Sequence, residues 1–342
     1  MVGSVSDVEL KALRRHAFGV AYRMLRSVSD AEDVAQESLL RLTRQRDPIT
    51  EPAAWLTTVA TRLSINVLGS ARARRESYVG PWLPEPLVED PAPGPAARAE
   101  LADSLSLAML ALLERLTPVE RAAYLLREIF GYEYTEIARI IDRTEVNTRQ
   151  LVVRARKHLE VGRPRFDADE AARCALLQRF LAAAENGDVE GLEALLAKDA
   201  VVFADGGGKA MAPPEPLFGA AVIARFMAGV AQVRRAFGNF ETRLVAVNGQ
   251  PGRLLRVAGQ ERYGGAERLA VDKALALLKA GVDAHELAAV MTREIAGRGA
   301  TPRVGAQDEG ESRVFDVLTI DVAAGRIQTV LIVRNPDKLG HL

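Results

Sequence analysis

The chain has 342 residues, of which 48% are hydrophobic and 26% charged, and its 45 basic residues balance its 45 acidic ones. This length predicts two or three domains, and the neutral balance gives no indication for or against an acidic partner. The single cysteine excludes an internal disulfide and fits a reducing cytosol, and no stretch reaches the ~20 apolar residues of a membrane span. We therefore expect a soluble, cytoplasmic protein of several domains that needs no membrane.

Residues 7–77 form a first helical block. Within it, Ser29-Asp30 begins a helix that extends to Leu42, with Val34 on its apolar side. Its exposed side is predicted to be mostly acidic, with Glu32, Asp33, Gln36 and Glu37. Such a strip repels DNA and favours a basic protein surface as its partner.

A second helix of this block begins at Pro52 and ends in an arginine cluster. Trp55, near its start, is expected to anchor the core rather than stack on a base. The cluster favours contact with nucleic acid and comprises Arg72, Arg74 and Arg75. Six prolines then follow within residues 78–97, so residues 78–99 are interpreted as an extended linker.

Residues 100–162 form a second helical block with clear helix boundaries. Thr117, Pro118 and Glu120 supply an N-cap, a first-turn proline and a capping-box glutamate. A short helix from Tyr134 to Ile141 is followed by a turn, after which Thr144 can cap a longer helix ending at Leu159. Two helices separated by a tight turn, the second one basic, indicate a helix-turn-helix.

The longer helix has distinct inner and outer faces. Thr148, Val152, Ala155 and Leu159 recur at helical spacing and are expected to pack inward. The residues left facing outward are Glu145, Asn147, Arg149, Gln150 and Arg154. Asn and Gln can pair with adenine edges, and Arg with guanine or phosphate, although a solvated face on an ordinary helical hairpin explains the same pattern.

Residues 170–342 alternate helices with strand-like runs and predict an α+β domain. Residues 259–312 interrupt it with two predicted helices, Glu267–Lys279 and Ala284–Ala296, the second capped by Asp283. Strand-like residues on either side are expected to be neighbours in one sheet. The apolar face of this insert needs cover, so it packs on the domain, binds a partner or is poorly ordered.

The two helical blocks together resemble extracytoplasmic-function sigma factors. The resemblance rests on DAEDVAQESLLRL, WLTTVATRLSINVL and LTPVERAAYLLREIFGYEYTEIARII, each in the expected order. It implies that the protein binds core RNA polymerase, through the β′ clamp and the β flap, and promoter DNA. The implied clamp contacts are Asp33, Gln36 and Glu37. The implied −10 contacts are Arg62, Asn66, Arg72, Arg74 and Arg75, with Asn66 standing where the family usually has Asp. The outward residues of the longer helix become the −35 contacts.

Three short motifs resemble one group of these sigma factors, whose C-terminal extension is SnoaL-like. They are WLPEPL at 82–87, DGGGK at 205–209 and NPDKL at 335–339. The resemblance implies an all-α core followed by a ketosteroid-isomerase-like (NTF2-like) α+β cone that regulates in place of an anti-sigma factor. We expect the tail to pack near the linker around Trp82 and to set the spacing of the two DNA-binding modules. The implied regulatory contacts are Trp82, Pro84, Asp205, Gly206, Gly207, Lys209, Asn335, Asp337 and Lys338.

Catalysis by the tail is the weaker interpretation. An acid–base site needs carboxylates or histidines in an apolar cavity, but Asp205 is expected to lie in a solvated glycine turn and His285 and His341 outside any pocket. No metal-ligand spacing and no cofactor motif is present, so we expect a sigma factor rather than an enzyme, with the ligand of the tail, if any, unknown. The alternatives are a free-standing helix-turn-helix regulator with a small-molecule-sensing tail and a SnoaL-like enzyme with a DNA-binding head. The acidic helix favours the sigma factor, since only a polymerase subunit needs it.

Overall fold

The structure is a computed structural model with two compact units. It describes residues 7–45, 47, 49–76, 78–89, 105–160, 169–237, 240–257, 266–296 and 312–342, with the backbone alone at 71–76, 160, 237, 266–272 and 295–296. One unit falls within residues 1–77 and 109–163, and the other within 78–108 and 164–342. The described part of the proline-rich linker, residues 78–89, thus groups with the tail. Among the described helices, none is long and apolar enough to cross a membrane.

The two helical blocks contain the elements that the periodicity predicts. The helices are α1 (Asp7–Leu25), α2 (Val28–Thr43), α3 (Pro52–Glu76), α4 (Leu107–Leu112), a 3-10 turn (Leu113–Arg115), α5 (Pro118–Glu128), α6 (Tyr134–Ile140) and α7 (Glu145–Glu160). The predicted start of α2 at Ser29-Asp30 is wrong by two residues, because Ser27 is the N-cap and its side chain accepts a hydrogen bond from the Asp30 amide at 3.3 Å. The cap therefore lies upstream of the serine that the sequence favoured.

The helix-turn-helix follows the predicted caps. Thr117 and Glu120 form a capping box, with Pro118 in the first turn of α5. Asp142 has a left-handed φ of 54°, which turns the chain between α6 and α7. Thr144 accepts a hydrogen bond from the Asn147 amide at 3.2 Å at the start of α7. The predicted inner face is confirmed, because Thr148, Val152 and Ala155 are fully buried and Leu159 nearly so.

Packing inside this unit joins the two helical blocks. Ala17 of α1, Ala35 of α2 and Leu56 of α3 form a small core against which Trp55 packs. The buried Arg121 of α5 donates to the Met24 carbonyl of α1 at 2.7 Å. A buried guanidinium needs such acceptors, so this contact ties the second block to the first.

The tail is built around one mixed sheet. Its elements are β1 (Val88–Glu89), α8 (Glu170–Asn186), α9 (Val189–Leu195), β2 (Leu196–Asp205), β3 (Leu217–Phe218), α10 (Ala220–Phe237), β4 (Phe240–Val247), β5 (Gln250–Val257), α11 (Ala266–Lys279), α12 (Ala284–Ala296), β6 (Arg313–Ala323), β7 (Arg326–Val333) and a 3-10 turn (Pro336–Lys338). The strand order is β1-β4-β5-β6-β7-β2-β3, and only β2 and β7 pair in parallel. The predicted α+β fold is confirmed.

The insert is part of the hydrophobic core of this domain. Helices α11 and α12 have nearly the predicted bounds, and Asp283 caps α12 by accepting from the Glu286 amide at 2.9 Å. The flanking strands β5 and β6 pair antiparallel, as expected. Leu287 is fully buried against α10, where a side chain on Gly229 would meet its Cδ2 atom at 2.8 Å. The sequence allowed the insert to pack on the domain, to bind a partner or to be poorly ordered. The structure therefore favours packing on the domain.

We expect Leu287→Ala to lower the free energy of unfolding of the tail by about 2–5 kcal/mol, because it leaves a cavity between α10 and α12. Ala289→Ser, on the exposed side of the same helix, should cost no more than about 0.5 kcal/mol. Urea denaturation of the full-length protein measures both. Equal effects of the two substitutions would contradict the packing of the insert.

Candidate functional site

The acidic strip lies on the exposed side of α2. Glu32, Asp33 and Gln36 are exposed, and Glu37 is half-buried. Glu32 pairs with Arg14 at 2.5 Å and Glu37 with Arg41 at 2.7 Å. Exposed ion pairs contribute only about 0–1 kcal/mol. The strip can therefore exchange these internal partners for a basic surface at little cost.

Arg62 of α3 makes a contact that the sequence did not indicate. Its side chain donates to the Ile140 carbonyl at 2.9 Å and to the Arg139 carbonyl at 2.8 Å. These carbonyls lie at the end of α6, where helical C=O groups lack intrahelical partners. Asn66, one turn further along α3, is exposed. The side chains of Arg72, Arg74 and Arg75 lie outside the part of the chain that the structure describes.

The outer face of α7 carries the predicted polar residues. Arg149, Gln150 and Arg154 are exposed, while Glu145 and Asn147 are half-buried. Arg149 donates twice to Glu145, at 3.2 and 2.6 Å, and Arg154 lies 3.4 Å from the carboxylate of Glu120. Contact of either arginine with DNA would require it to give up these intramolecular partners.

Two valines share this outer face and were missed from the sequence. On α7, Val146 is 68% exposed and Val153 is 62% exposed.

 
The base contacts that the sequence predicted on this helix were all polar. Apolar side chains also read a base edge, through the methyl group of thymine. The candidate −35 surface is therefore partly apolar.

A second candidate site lies in the tail, centred on Asp205. This residue ends β2 and is fully buried, so the expectation of a solvated turn is wrong. Its carboxylate accepts hydrogen bonds from Lys338 Nζ at 2.7 Å, the Tyr78 hydroxyl at 2.5 Å, the Leu83 amide at 2.8 Å and the Gly207 amide at 3.0 Å. Two of these donors belong to the linker, which is why the carboxylate can be buried while charged.

The same group of residues supplies the hydrogen-bond and cation–π partners of Lys338. Its ammonium donates to the Leu83 carbonyl at 2.5 Å and lies 3.9 Å from the ring centre of Trp82 and 4.9 Å from that of Tyr78. Cation–π contacts of a desolvated ammonium contribute about 2 kcal/mol. The aromatic side chains of the linker therefore complete the environment of a buried cation on the tail.

Tyr78 was missed by the sequence analysis, because it precedes the proline-rich motif and matches no known pattern. Burial, followed by the hydrogen bond to Asp205, raises the pKa of its hydroxyl. Tyr78 thus remains a protonated donor to Asp205, and it accepts a hydrogen bond from the Asn335 side chain at 2.8 Å.

The glycines of the 205–209 motif permit close approach of the chain. Gly207 has a φ of 58°, and a side chain there would collide with Asn335. A side chain on Gly206 would collide with the Ala210 carbonyl. The amides of Arg334 and Asn335 donate to the Asp205 carbonyl at 2.8 and 2.9 Å. Small residues are therefore required for the 205–209 and 335–339 motifs to meet.

The linker also extends the sheet. Strand β1 pairs antiparallel with β4, and Leu87 exchanges two hydrogen bonds with Asn248, at 2.8 and 3.1 Å. His341 contacts the Pro86 carbonyl at 2.9 Å, and Pro84 is buried. Residues 78–89 thus bind along their length by strand addition and by buried polar contacts. We call Asp205, Asn335 and Lys338, with the linker residues they contact, the linker-docking site.

The remaining predicted contacts lie at the rim of this site. Lys209 pairs with Asp337 at 2.5 Å, and both side chains are more than half exposed, at 56% and 59%. Such a pair contributes little to stability. The two motifs are therefore joined by a buried ion pair, Asp205 with Lys338, and by an exposed one, Lys209 with Asp337.

We expect Lys338→Met to release the linker, because it leaves the Asp205 carboxylate buried and uncompensated, at a cost of about 3–5 kcal/mol. With Trp55→Phe as background, Trp82 is the remaining tryptophan of the two in the chain, and its emission should shift to the red and become easier to quench with acrylamide.

Lys209→Met is the matched control, because it removes the exposed ion pair of the same motifs. Adding Asp205→Asn to Lys338→Met should restore part of the docking, since it removes the stranded charge. Unchanged Trp82 fluorescence in Lys338→Met would show that the buried ion pair does not hold the linker.

Known proteins resemble both units of the chain. A sequence model of sigma-70 region 2 matches residues 10–75, and one of sigma-70 region 4 matches residues 106–159. The ECF RNA polymerase sigma factor SigJ of Mycobacterium tuberculosis is 38% identical over 247 residues, which are 71% of this chain and 79% of SigJ. The probable ECF RNA polymerase sigma factor SigI of the same species is 34% identical over 185 residues, or 53% of this chain and 63% of SigI.

The likeness extends to a solved structure. The crystal structure of SigJ from Mycobacterium tuberculosis matches with a TM-score of 0.65 and 27% sequence identity, covering 98% of each chain. The match therefore includes the sheet-containing tail as well as the helical blocks.

Proposed function

Because the chain belongs to the extracytoplasmic-function sigma factors of RNA polymerase, we propose that its tail modulates transcription initiation by holding the linker between the two sigma regions. The protein itself is a non-catalytic factor that binds core RNA polymerase and promoter DNA and directs initiation at promoters. In this proposal residues 7–77 form sigma region 2, 100–162 form sigma region 4 and 170–342 form the SnoaL-like domain, joined by the linker at 78–99. The protein works in the cytoplasm, where core polymerase transcribes.

The acidic strip of α2 is the proposed contact with the polymerase clamp. Asp33 and Gln36 are exposed, and Glu37 pairs with Arg41, an exposed residue of the same helix. Complementary charge increases the rate and specificity of association between proteins. These features support Asp33, Gln36 and Glu37 as contacts with a basic surface of the β′ subunit, while region 4 contacts the β flap.

We expect Asp33→Lys combined with Glu37→Lys to reduce co-purification with core RNA polymerase at least about tenfold, because like charges then oppose each other at the interface. The matched control is Glu193→Lys combined with Glu215→Lys, which makes the same change in net charge at exposed positions of the tail. Equal retention of polymerase by the two double variants would overturn the proposed contact.

The proposed promoter contacts lie on α3 and α7. Asn66 and the arginines at 72, 74 and 75 would meet the −10 element, and the outer face of α7, from Glu145 to Arg154, the −35 element. Arg62 is engaged with α6 in the described state. Its proposed −10 role therefore requires that α3 and α6 separate when the protein joins polymerase and DNA.

The proposed role of the tail rests on the linker-docking site. A linker whose residues 78–89 are bound along the tail cannot at the same time extend freely between regions 2 and 4. The buried contacts of Asp205 and Lys338 make its release costly. The proposed effect is inhibitory: the docked linker restricts the separation of the two sigma regions, in place of an anti-sigma factor. Trp82, Pro84, Asn335 and the glycines at 206 and 207 would support docking, with Lys209 and Asp337 at its rim.

We expect Trp82→Ala and Lys338→Met each to raise transcript yield about twofold or more in transcription in vitro with core polymerase, because both weaken docking. Lys209→Met should leave the yield close to that of the unmodified protein. Unchanged or lower yield from both docking variants would refute the inhibitory role of the tail.

A further inference from the structure

The tail contains a cavity that is lined by none of the proposed polymerase, DNA or linker contacts. Its volume is about 70 Å³, and its walls come from α8, α10, α12 and the strands β4 to β7 together with the 211–213 loop. Most lining side chains are apolar, among them Leu181, Phe226, Met227, Val230, Met291 and Ile332. At about 10–15 Å³ for each water molecule, the cavity has room for roughly five waters. It therefore matches a small organic molecule rather than a nucleotide or a lipid.

Four charged side chains also line the cavity, and three of them are arginines. Arg234, Arg253 and Arg334 line it with Asp316. Arg253 forms an ion pair with Asp316, and their side chains are only 4% and 7% exposed. Glu185 lies outside the lining, 3.8 Å from Arg234. The charged side chains that line the cavity are thus three cations and one anion.

One buried donor of the cluster lacks an acceptor among the described residues. Arg253 Nε is buried and has no hydrogen-bond partner among the described residues. Burial, and then the nearby Arg253 guanidinium, lower the pKa of Arg234 to about 10. A buried donor without an acceptor costs about 1–3 kcal/mol. An anion in the cavity would supply an acceptor and relieve the repulsion between the guanidinium groups.

We propose that this cavity binds a small monocarboxylate with a short aliphatic or aromatic body. Guanidinium groups recognise carboxylates through paired hydrogen bonds, and the apolar walls suit a hydrocarbon body. Inorganic phosphate has no apolar part and would leave these walls uncovered. A neutral ligand of the same shape would bring no negative charge to the arginine cluster.

The insert contributes to the same site. Met291 of α12 lines the cavity and is 1% exposed. Arg253 lies on β5 and Asp316 on β6, the two strands that the insert connects. The insert thus closes one wall of the cavity, and its packing determines how much room a ligand has.

Calorimetric titration of the full-length protein with benzoate tests the proposal. Benzamide has nearly the same shape without the charge, so benzoate should bind about tenfold more tightly or better. Inorganic phosphate should give no binding. Equal affinities for benzoate and benzamide, or no binding of benzoate at millimolar concentrations, would overturn the proposal.

Arg234→Met is the informative variant. Removing Arg253 would strand the buried Asp316, whereas removing Arg234 relieves repulsion, so the tail should remain folded in thermal melts. Benzoate affinity should fall about tenfold or more, with benzamide affinity unchanged. Arg235→Met, at the exposed neighbouring position, should leave benzoate affinity unchanged. Wild-type benzoate affinity in Arg234→Met would mean that the arginine cluster does not form the site.

Discussion

The buried ion pair between Asp205 and Lys338 determines how the tail binds the linker. The parallel pairing of β2 with β7 brings the two motifs together, since Asp205 lies opposite Val333 in the register. Neither charge is satisfied by the tail alone. The Tyr78 hydroxyl and the Leu83 amide of the linker donate hydrogen bonds to the Asp205 carboxylate. The Leu83 carbonyl accepts a hydrogen bond from the Lys338 ammonium, which also contacts the ring of Trp82. Burial of the pair and docking of the linker are therefore one process.

In the helical unit, too, one residue has both an observed intramolecular contact and a proposed contact with a partner. Arg62 belongs to the helix that the family resemblance assigns to the −10 element, yet its guanidinium binds the carbonyls that end α6. On α7, Arg149 and Arg154 likewise have carboxylate partners within the unit. If these residues contact DNA as proposed, binding is an exchange of partners, so its net free energy is smaller than the new contacts alone would suggest.

The cavity and the linker-docking site are adjacent in the chain as well as in the fold. Arg334 lines the cavity with its side chain, while its backbone amide donates to the Asp205 carbonyl. The insert, which departs from the group that the motifs resemble, supplies Met291 to the same cavity. The insert, which the sequence marked as atypical, is thus part of the hydrophobic core of the tail.

The sequence by itself determined most helices and several of their caps, the longer strands of the sheet and the family, because these follow from local periodicity, capping chemistry and motif order. The Thr117 capping box and the inner face of α7 needed no tertiary information. Only the tertiary structure decided that Asp205 is buried, that Tyr78 belongs to its site and that Arg62 contacts α6. These contacts join residues 127, 133 and 78 positions apart, and no local pattern records which distant donor satisfies a buried charge.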